Sequence, residues 1–109
     1  MQIQVKKDQN VLIVSVQGRM DTVSAPDYQK RMEDLLDQGE TEILMDFGKL
    51  EYVSSAGLRS ILVAAKKAKS LGGGVSCCSL QDMVRKVFDI SGFTGMLRVF
   101  DSVEDALKQ

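Results

Sequence analysis

Apolar and polar residues alternate at the start of the chain with the period of two that is typical of a β-strand. The alternation covers residues 2–6, and a more apolar run over residues 11–17 predicts a second strand. Turn-forming residues occupy positions 7–10 between them. Because so short a connection forces antiparallel pairing, we predict an N-terminal hairpin.

Helical spacing of apolar residues follows the hairpin. Ser24 and Pro26 are typical of a helix start, and Gly39 is typical of a helix end. We expect five positions at helical spacing to face the core, namely Ala25, Tyr28, Met32, Leu35 and Leu36.

The centre of the chain combines a short apolar run with a longer amphipathic segment. Residues 42–47 lack polar alternation and are too few for a helix, which predicts a strand buried on both faces. A loop should follow, and Ser54 and Ser55 lie where a helix of apolar period begins. We predict that its buried stripe consists of Leu58, Ile61, Leu62, Ala65, Ala68 and Leu71, with Arg59, Ser60, Lys66, Lys67 and Lys69 outside it.

Strands and helices continue to alternate in the last third of the chain. Residues 75–78 and 96–100 predict strands, and a short helix should begin at Ser102. Between the two strands lies a third helix, whose apolar side should hold Leu80, Met83, Val84, Val87 and Phe88. This order predicts an α/β domain whose sheet is largely parallel after the first hairpin.

Length and charge limit the functions open to the chain. Its 109 residues suffice for one domain, which we expect to span residues 1–109. The formal net charge of −1 disfavours nucleic-acid binding, which usually needs a basic surplus. No apolar stretch approaches the roughly 20 residues of a bilayer span. We expect a cytoplasmic protein that binds no membrane directly.

The absence of histidine excludes several kinds of active site. A Ser-His-Asp triad, a Cys-His pair and a histidine-containing zinc site all need that side chain. Cys77 and Cys78 are adjacent in a predicted strand, so their side chains should lie on opposite faces, where they share neither a disulfide nor a metal ion.

Two other catalytic motifs are incomplete. Residues 55–57, Ser-Ala-Gly, match the second half of a nucleophile elbow, but Val53 stands where that motif has glycine. Asp46 follows an apolar strand without the acidic cluster that a magnesium-dependent receiver domain needs. We therefore expect no enzyme, no catalytic residue and no metal site.

The segment around the two serines resembles a known family signature. Residues 54–58 read Ser-Ser-Ala-Gly-Leu and follow a strand that ends in Asp46-Phe47. This string is similar to the signature of the STAS domain family, and in particular of its stand-alone members, the anti-sigma factor antagonists. The resemblance extends to residues 88–93 and 102–107 and so covers nearly the whole chain. It implies a mixed, mostly parallel sheet with helices packed mainly on one side.

The resemblance also implies which residues act. The family serine two positions before the Gly-Leu pair is phosphorylated by a partner kinase, which corresponds to Ser55, while Ser54 replaces an aspartate of many members. Residues 18–21 match the family at the glycine and at Asp21, the aspartate that contacts the kinase. Small Ala56 and Gly57 should leave the serine open to a docking protein, and Arg59 should flank it. The expected partner-binding residues are Asp21, Ser54, Ala56, Gly57 and Arg59.

By the same resemblance the partner is an ATP-binding anti-sigma factor that is also a serine kinase. The unphosphorylated protein would capture it, phosphorylation of Ser55 would release it, and a metal-dependent serine phosphatase would reset the cycle. ATP belongs to the kinase, so we expect no cofactor in this chain. An alternative remains open, in which the domain is a constitutive subunit of a transport complex and docks a helix without a phosphorylation switch.

Overall fold

A computed structural model describes residues 1–108 of the chain. Five strands form a single sheet in the order β1-β2-β3-β4-β5. The elements follow one another as β1 Gln2–Asp8, β2 Val11–Met20, α1 Ala25–Asp37, β3 Glu42–Val53, α2 Ser55–Ser70, β4 Gly74–Cys78, α3 Asp82–Ile90, a 3₁₀ turn Phe93–Gly95, β5 Arg98–Phe100 and α4 Val103–Leu107.

The sheet is mixed, as predicted. β1 pairs antiparallel with β2, and the three remaining pairs, from β2 to β5, are parallel. β3 lies third of five and therefore at the centre of the sheet. Within its first half, Ile43, Leu44 and Met45 are all buried, which confirms a strand covered on both faces.

The two faces of the sheet carry cores of unequal size. The larger core lies between the sheet and α1, α2 and α3, and the smaller one lies under α4 on the opposite face. Helices therefore pack mainly on one side, as predicted. Cys77 belongs to the larger core and Cys78 to the smaller one, which confirms that the two side chains lie on opposite faces.

The strands β2 and β3 run further than the sequence analysis predicted. β2 ends at Met20 rather than at residue 17, and β3 ends at Val53 rather than at residue 47. Glycine and charged residues between positions 48 and 51 resemble a loop, but Leu50 is fully buried within this segment. The added residues of β2 pair with the added residues of β3. Both strands are longer than predicted because each supplies the other with hydrogen-bond partners.

Several positions predicted for the helices differ in the structure, among them Leu80, which precedes α3. Met83 is 64% exposed because α3 has only nine residues and buries just Val84 and Phe88. Leu71 is 49% exposed because it caps the end of α2. Ser60 is buried, with its hydroxyl 3.1 Å from the carbonyl oxygen of Ala56, its hydrogen-bond acceptor.

The last strand begins two residues later than predicted. Residues 93–95 form a 3₁₀ turn whose Phe93 ring packs edge-on against Phe88, with 5.4 Å between the ring centroids. Because this aromatic contact holds the chain against α3, β5 forms only over Arg98–Phe100.

Candidate functional site

The ends of β2 and β3 bring two predicted site segments to the same edge of the sheet. Met20 and Val53 are paired neighbours at the last position of each strand. The backbone N–H of Ser54 donates to the carbonyl oxygen of Met20 at 2.8 Å. Asp21 and the two serines therefore leave adjacent strands at one place, which no local sequence pattern could indicate.

Ser54 holds the start of α2. Its backbone is extended and its hydroxyl oxygen accepts a hydrogen bond from the N–H of Gly57 at 3.1 Å. Its carbonyl oxygen accepts from the N–H of Leu58 at 2.9 Å. Ser54 is thus the N-cap, and its hydroxyl satisfies one of the N–H groups that a helix start leaves without a partner.

Ser55 differs from Ser54 although the two are neighbours. It is the first residue of α2 and is exposed, and its hydroxyl has no hydrogen-bond partner within residues 1–108. The oxygen is therefore accessible to another protein. Its role as a phosphorylation site stays a prediction.

Gly57 is buried, contrary to its expected place in a partner-binding surface. A Cβ atom at this position would lie 2.9 Å from the carbonyl oxygen of Met20 and 2.9 Å from Cγ2 of Val53. The glycine allows the first turn of α2 to rest directly on the strand ends, which fixes where Ser55 emerges. Leu58 is also buried, in agreement with its predicted place in the core.

The carboxylate of Asp21 is fixed by the turn between β2 and α1. Its Oδ1 accepts hydrogen bonds from the backbone N–H groups of Val23 and Ser24, each at 3.0 Å. These bonds, led by that from Ser24, hold the pKa of Asp21 below its usual value. The side chain is therefore an ordered anion at neutral pH.

Ser24 precedes α1 as predicted, but its side chain does not cap the helix. The hydroxyl donates to the carbonyl oxygen of Arg19 at 2.9 Å and accepts from the N–H of Asp21 at 2.9 Å. The hydroxyl of Ser24 thus holds the turn closed through the backbone of both Arg19 and Asp21. Val23, within this turn, is 86% exposed.

A groove runs along the seam between α1 and α2 from the same end. It encloses about 550 Å³, and its lining includes Thr22 and Pro26 on one side and Ala56 and Arg59 on the other. Ala56 is half-buried against the core, whereas Arg59 is exposed. Of the five expected partner-binding residues, Arg59 is exposed, Gly57 is buried, and the other three, Asp21, Ser54 and Ala56, are half-buried.

A pair that the sequence analysis missed lies at the same edge. The guanidinium of Arg19 stacks over the ring of Tyr52, with 4.2 Å from its central carbon to the ring centroid. The two residues are cross-strand partners in β2 and β3. The two side chains meet only because β2 and β3 pair beyond residue 47. The pair could not be predicted because this second half of β3 was not predicted to be a strand.

Comparison with known proteins identifies the family. A family model for the STAS domain matches residues 2–106. The chain belongs to the STAS domain family. BtrV of Bordetella bronchiseptica, described as a candidate anti-sigma factor antagonist, is 36% identical over 106 residues, which cover 97% of this chain and 91% of BtrV.

Two solved structures share the fold of this STAS domain. A candidate anti-sigma factor antagonist from Thermotoga maritima superposes with a TM-score of 0.93 at 20% identity, covering 97% of this chain and 92% of the other. The phosphorylated form of the Bacillus cell fate determinant SpoIIAA superposes with a TM-score of 0.75 at 19% identity, covering 98% and 97%. Both confirm the predicted STAS-type architecture.

The chemical group that this edge of the STAS domain exposes is the hydroxyl of Ser55. Ser55 lies at the amino end of a 16-residue helix, where the aligned peptide dipoles favour negative charge. Within residues 1–108 no group of three or more cysteine, aspartate or glutamate side chains could hold a metal ion. Over the same residues, no helix combines the length and hydropathy needed to cross a bilayer.

Proposed function

We propose that this STAS domain is an anti-sigma factor antagonist, that its partner is an anti-sigma factor with serine kinase activity, and that Ser55 is the phosphorylation site. The observation that carries the proposal is the contrast between the two serines. Ser54 uses its hydroxyl to cap α2, while the neighbouring hydroxyl of Ser55 is exposed and has no partner in residues 1–108. The names of relatives, such as the anti-sigma-B factor antagonist of Bacillus subtilis, support the class of partner.

The position of Ser55 suits a modification that changes binding and leaves the fold intact. A phosphoserine carries about −1.5 to −2 charges at pH 7 and three acceptor oxygens. At the first position of α2 this charge meets the favourable end of the helix dipole. The folded domain should therefore tolerate phosphate, and the main effect should fall on the bound partner.

The partner would meet a new anion on a surface it had bound in the neutral form. Asp21 is already an ordered carboxylate at the same edge, so a phosphate on Ser55 would bring a second anion to the surface that the partner binds. A loss of about 2.7 kcal/mol in binding free energy corresponds to a hundredfold weaker complex. Desolvation of a phosphate dianion is sufficient for a loss of this size.

The other residues around Ser55 have separate places in this proposal. Asp21 and Arg59 would contact the kinase directly, and Ala56 would leave room for it. Ser54 and buried Gly57 would act by holding the helix start in position. A metal-dependent serine phosphatase would remove the phosphate, and ATP would be bound by the kinase.

The test uses purified protein and the ATP-binding anti-sigma factors encoded by the host genome, taken one at a time. Each is incubated with the domain, ATP and Mg²⁺, and phosphate is located by mass spectrometry. We expect modification of Ser55 by one of them, loss of modification in Ser55→Ala, and modification in folded Ser54→Ala. Phosphate that persists in Ser55→Ala would refute the proposal, and stable binding without phosphorylation would favour a constitutive subunit.

A further inference from the structure

Arg59 carries a charge that its own domain does not use. It lies one turn into α2, is exposed, and forms no ion pair within residues 1–108. The first turn of α2 contains no acidic residue. A cation near the amino end of a helix is unfavourable, because that end of the dipole is positive. No ion pair within residues 1–108 therefore accounts for an arginine at this position.

The spacing between Ser55 and Arg59 would explain an arginine at position 59 if Ser55 is phosphorylated. The two residues are four positions apart on α2, so they share one face of the helix, with their Cβ atoms about 5–6 Å apart. Helical side chains tilt toward the amino end, which directs Arg59 back toward Ser55. An arginine side chain can span this distance and bind a phosphate through two N–H groups.

We propose that Arg59 is the internal counter-ion of phosphorylated Ser55. This inference rests on the proposed function, because it takes Ser55 as the phosphorylated residue. Phosphorylation would then change the docking surface in two ways at once, by adding an anion at Ser55 and by withdrawing a cation from the α1–α2 groove that Arg59 lines. A carboxylate of the partner, bound to Arg59 in the neutral state, would be released by this intramolecular competitor.

Charged groups on the neighbouring elements must be separated from the effect of Arg59. Arg19 lies near the end of β2 and Asp21 directly follows it, Glu51 lies on β3, and Lys30 and Glu33 line the α1 side of the groove. Asp21 and Arg19 oppose each other in their effect on a nearby anion. Because all five remain in every variant below, the difference between variants isolates the contribution of Arg59.

The experiment requires only this protein. Phosphoserine is incorporated at position 55 by an expanded genetic code, and the second pKa of the phosphate is measured by ³¹P NMR. An opposite charge one helical turn away favours the dianion, so Arg59→Gln should raise that pKa by about 0.5 unit, a threefold change in proton affinity. Arg59→Lys keeps the charge and should restore most of the shift.

Lys66→Gln is the matched control, because Lys66 is exposed on the same helix but lies three turns from Ser55. It should leave the phosphate pKa unchanged, and circular dichroism should show equal helix content in all variants. Equal pKa values in the parent and Arg59→Gln would overturn the counter-ion, as would an equal shift in Lys66→Gln. Failure of every kinase to modify Ser55 is a different result and would overturn the proposed function.

Discussion

Replacing Gly57 by alanine adds one methyl group where the start of α2 rests on the strand ends. The new Cβ would lie 2.9 Å from the carbonyl oxygen of Met20 and from Cγ2 of Val53, both closer than van der Waals contact allows. The carbonyl cannot turn away freely, because it accepts the N–H of Ser54. Overpacking of this kind costs about 1–3 kcal/mol, whereas alanine gains about 1 kcal/mol over glycine in helix propensity.

We therefore expect Gly57→Ala to lower the free energy of unfolding by up to about 2 kcal/mol, the difference between the two effects. Urea denaturation followed by circular dichroism measures it. The matched control is Gly95→Ala, since a Cβ there meets no atom within 4 Å. It should be neutral or slightly stabilising. A gain of about 1 kcal/mol in Gly57→Ala, as helix propensity alone predicts, would refute the claim that close contact between helix and strands fixes the position of Ser55.

Three further predictions concern the two serines, the carboxylate of Asp21 and the two cysteines. Ser54→Ala should lower stability by about 1 kcal/mol in urea denaturation through loss of the N-cap, while Ser55→Ala should change it by less than about 0.5 kcal/mol; equal effects would contradict these assignments. NMR titration should place the pKa of Asp21 below its usual value. The contribution of Asp21 to stability is then present at pH values above its pKa in the unfolded chain, and it is lost as the pH falls through the lower pKa in the folded protein. A normal or raised pKa would contradict the fixed carboxylate. Burial raises the pKa of Cys77 to about 12 and of Cys78 to about 11, so Ellman's reagent at pH 8 should modify them only after denaturation, and rapid reaction of the native protein would contradict their burial.

Local periodicity was enough to predict most of the elements. The hairpin, the first half of the central strand and the core side of α1 depend on spacings within one segment, and the structure confirms each. The opposite faces of Cys77 and Cys78 follow from the same rule. Where the prediction failed within an element, as at Met83, the helix was too short to bury its whole apolar side.

The contacts that build the site depend on which strands are neighbours. The second half of β3 is a strand because β2 runs beside it, and Arg19 meets Tyr52 only through that pairing. Burial of Gly57 likewise depends on Met20, which lies 37 positions earlier in the chain. The pattern of residues along one segment does not contain this information. The family resemblance indicated Ser55, but the residues that surround it in the fold could not be predicted.

The most direct test of the account compares the binding of one anti-sigma factor to two forms of this domain by isothermal titration calorimetry. One form carries serine at position 55 and the other carries encoded phosphoserine, with phosphoserine at position 54 as the control. The account predicts at least about a hundredfold weaker binding when Ser55 is phosphorylated, equivalent to about 2.7 kcal/mol. Equal affinity of the two forms would contradict it.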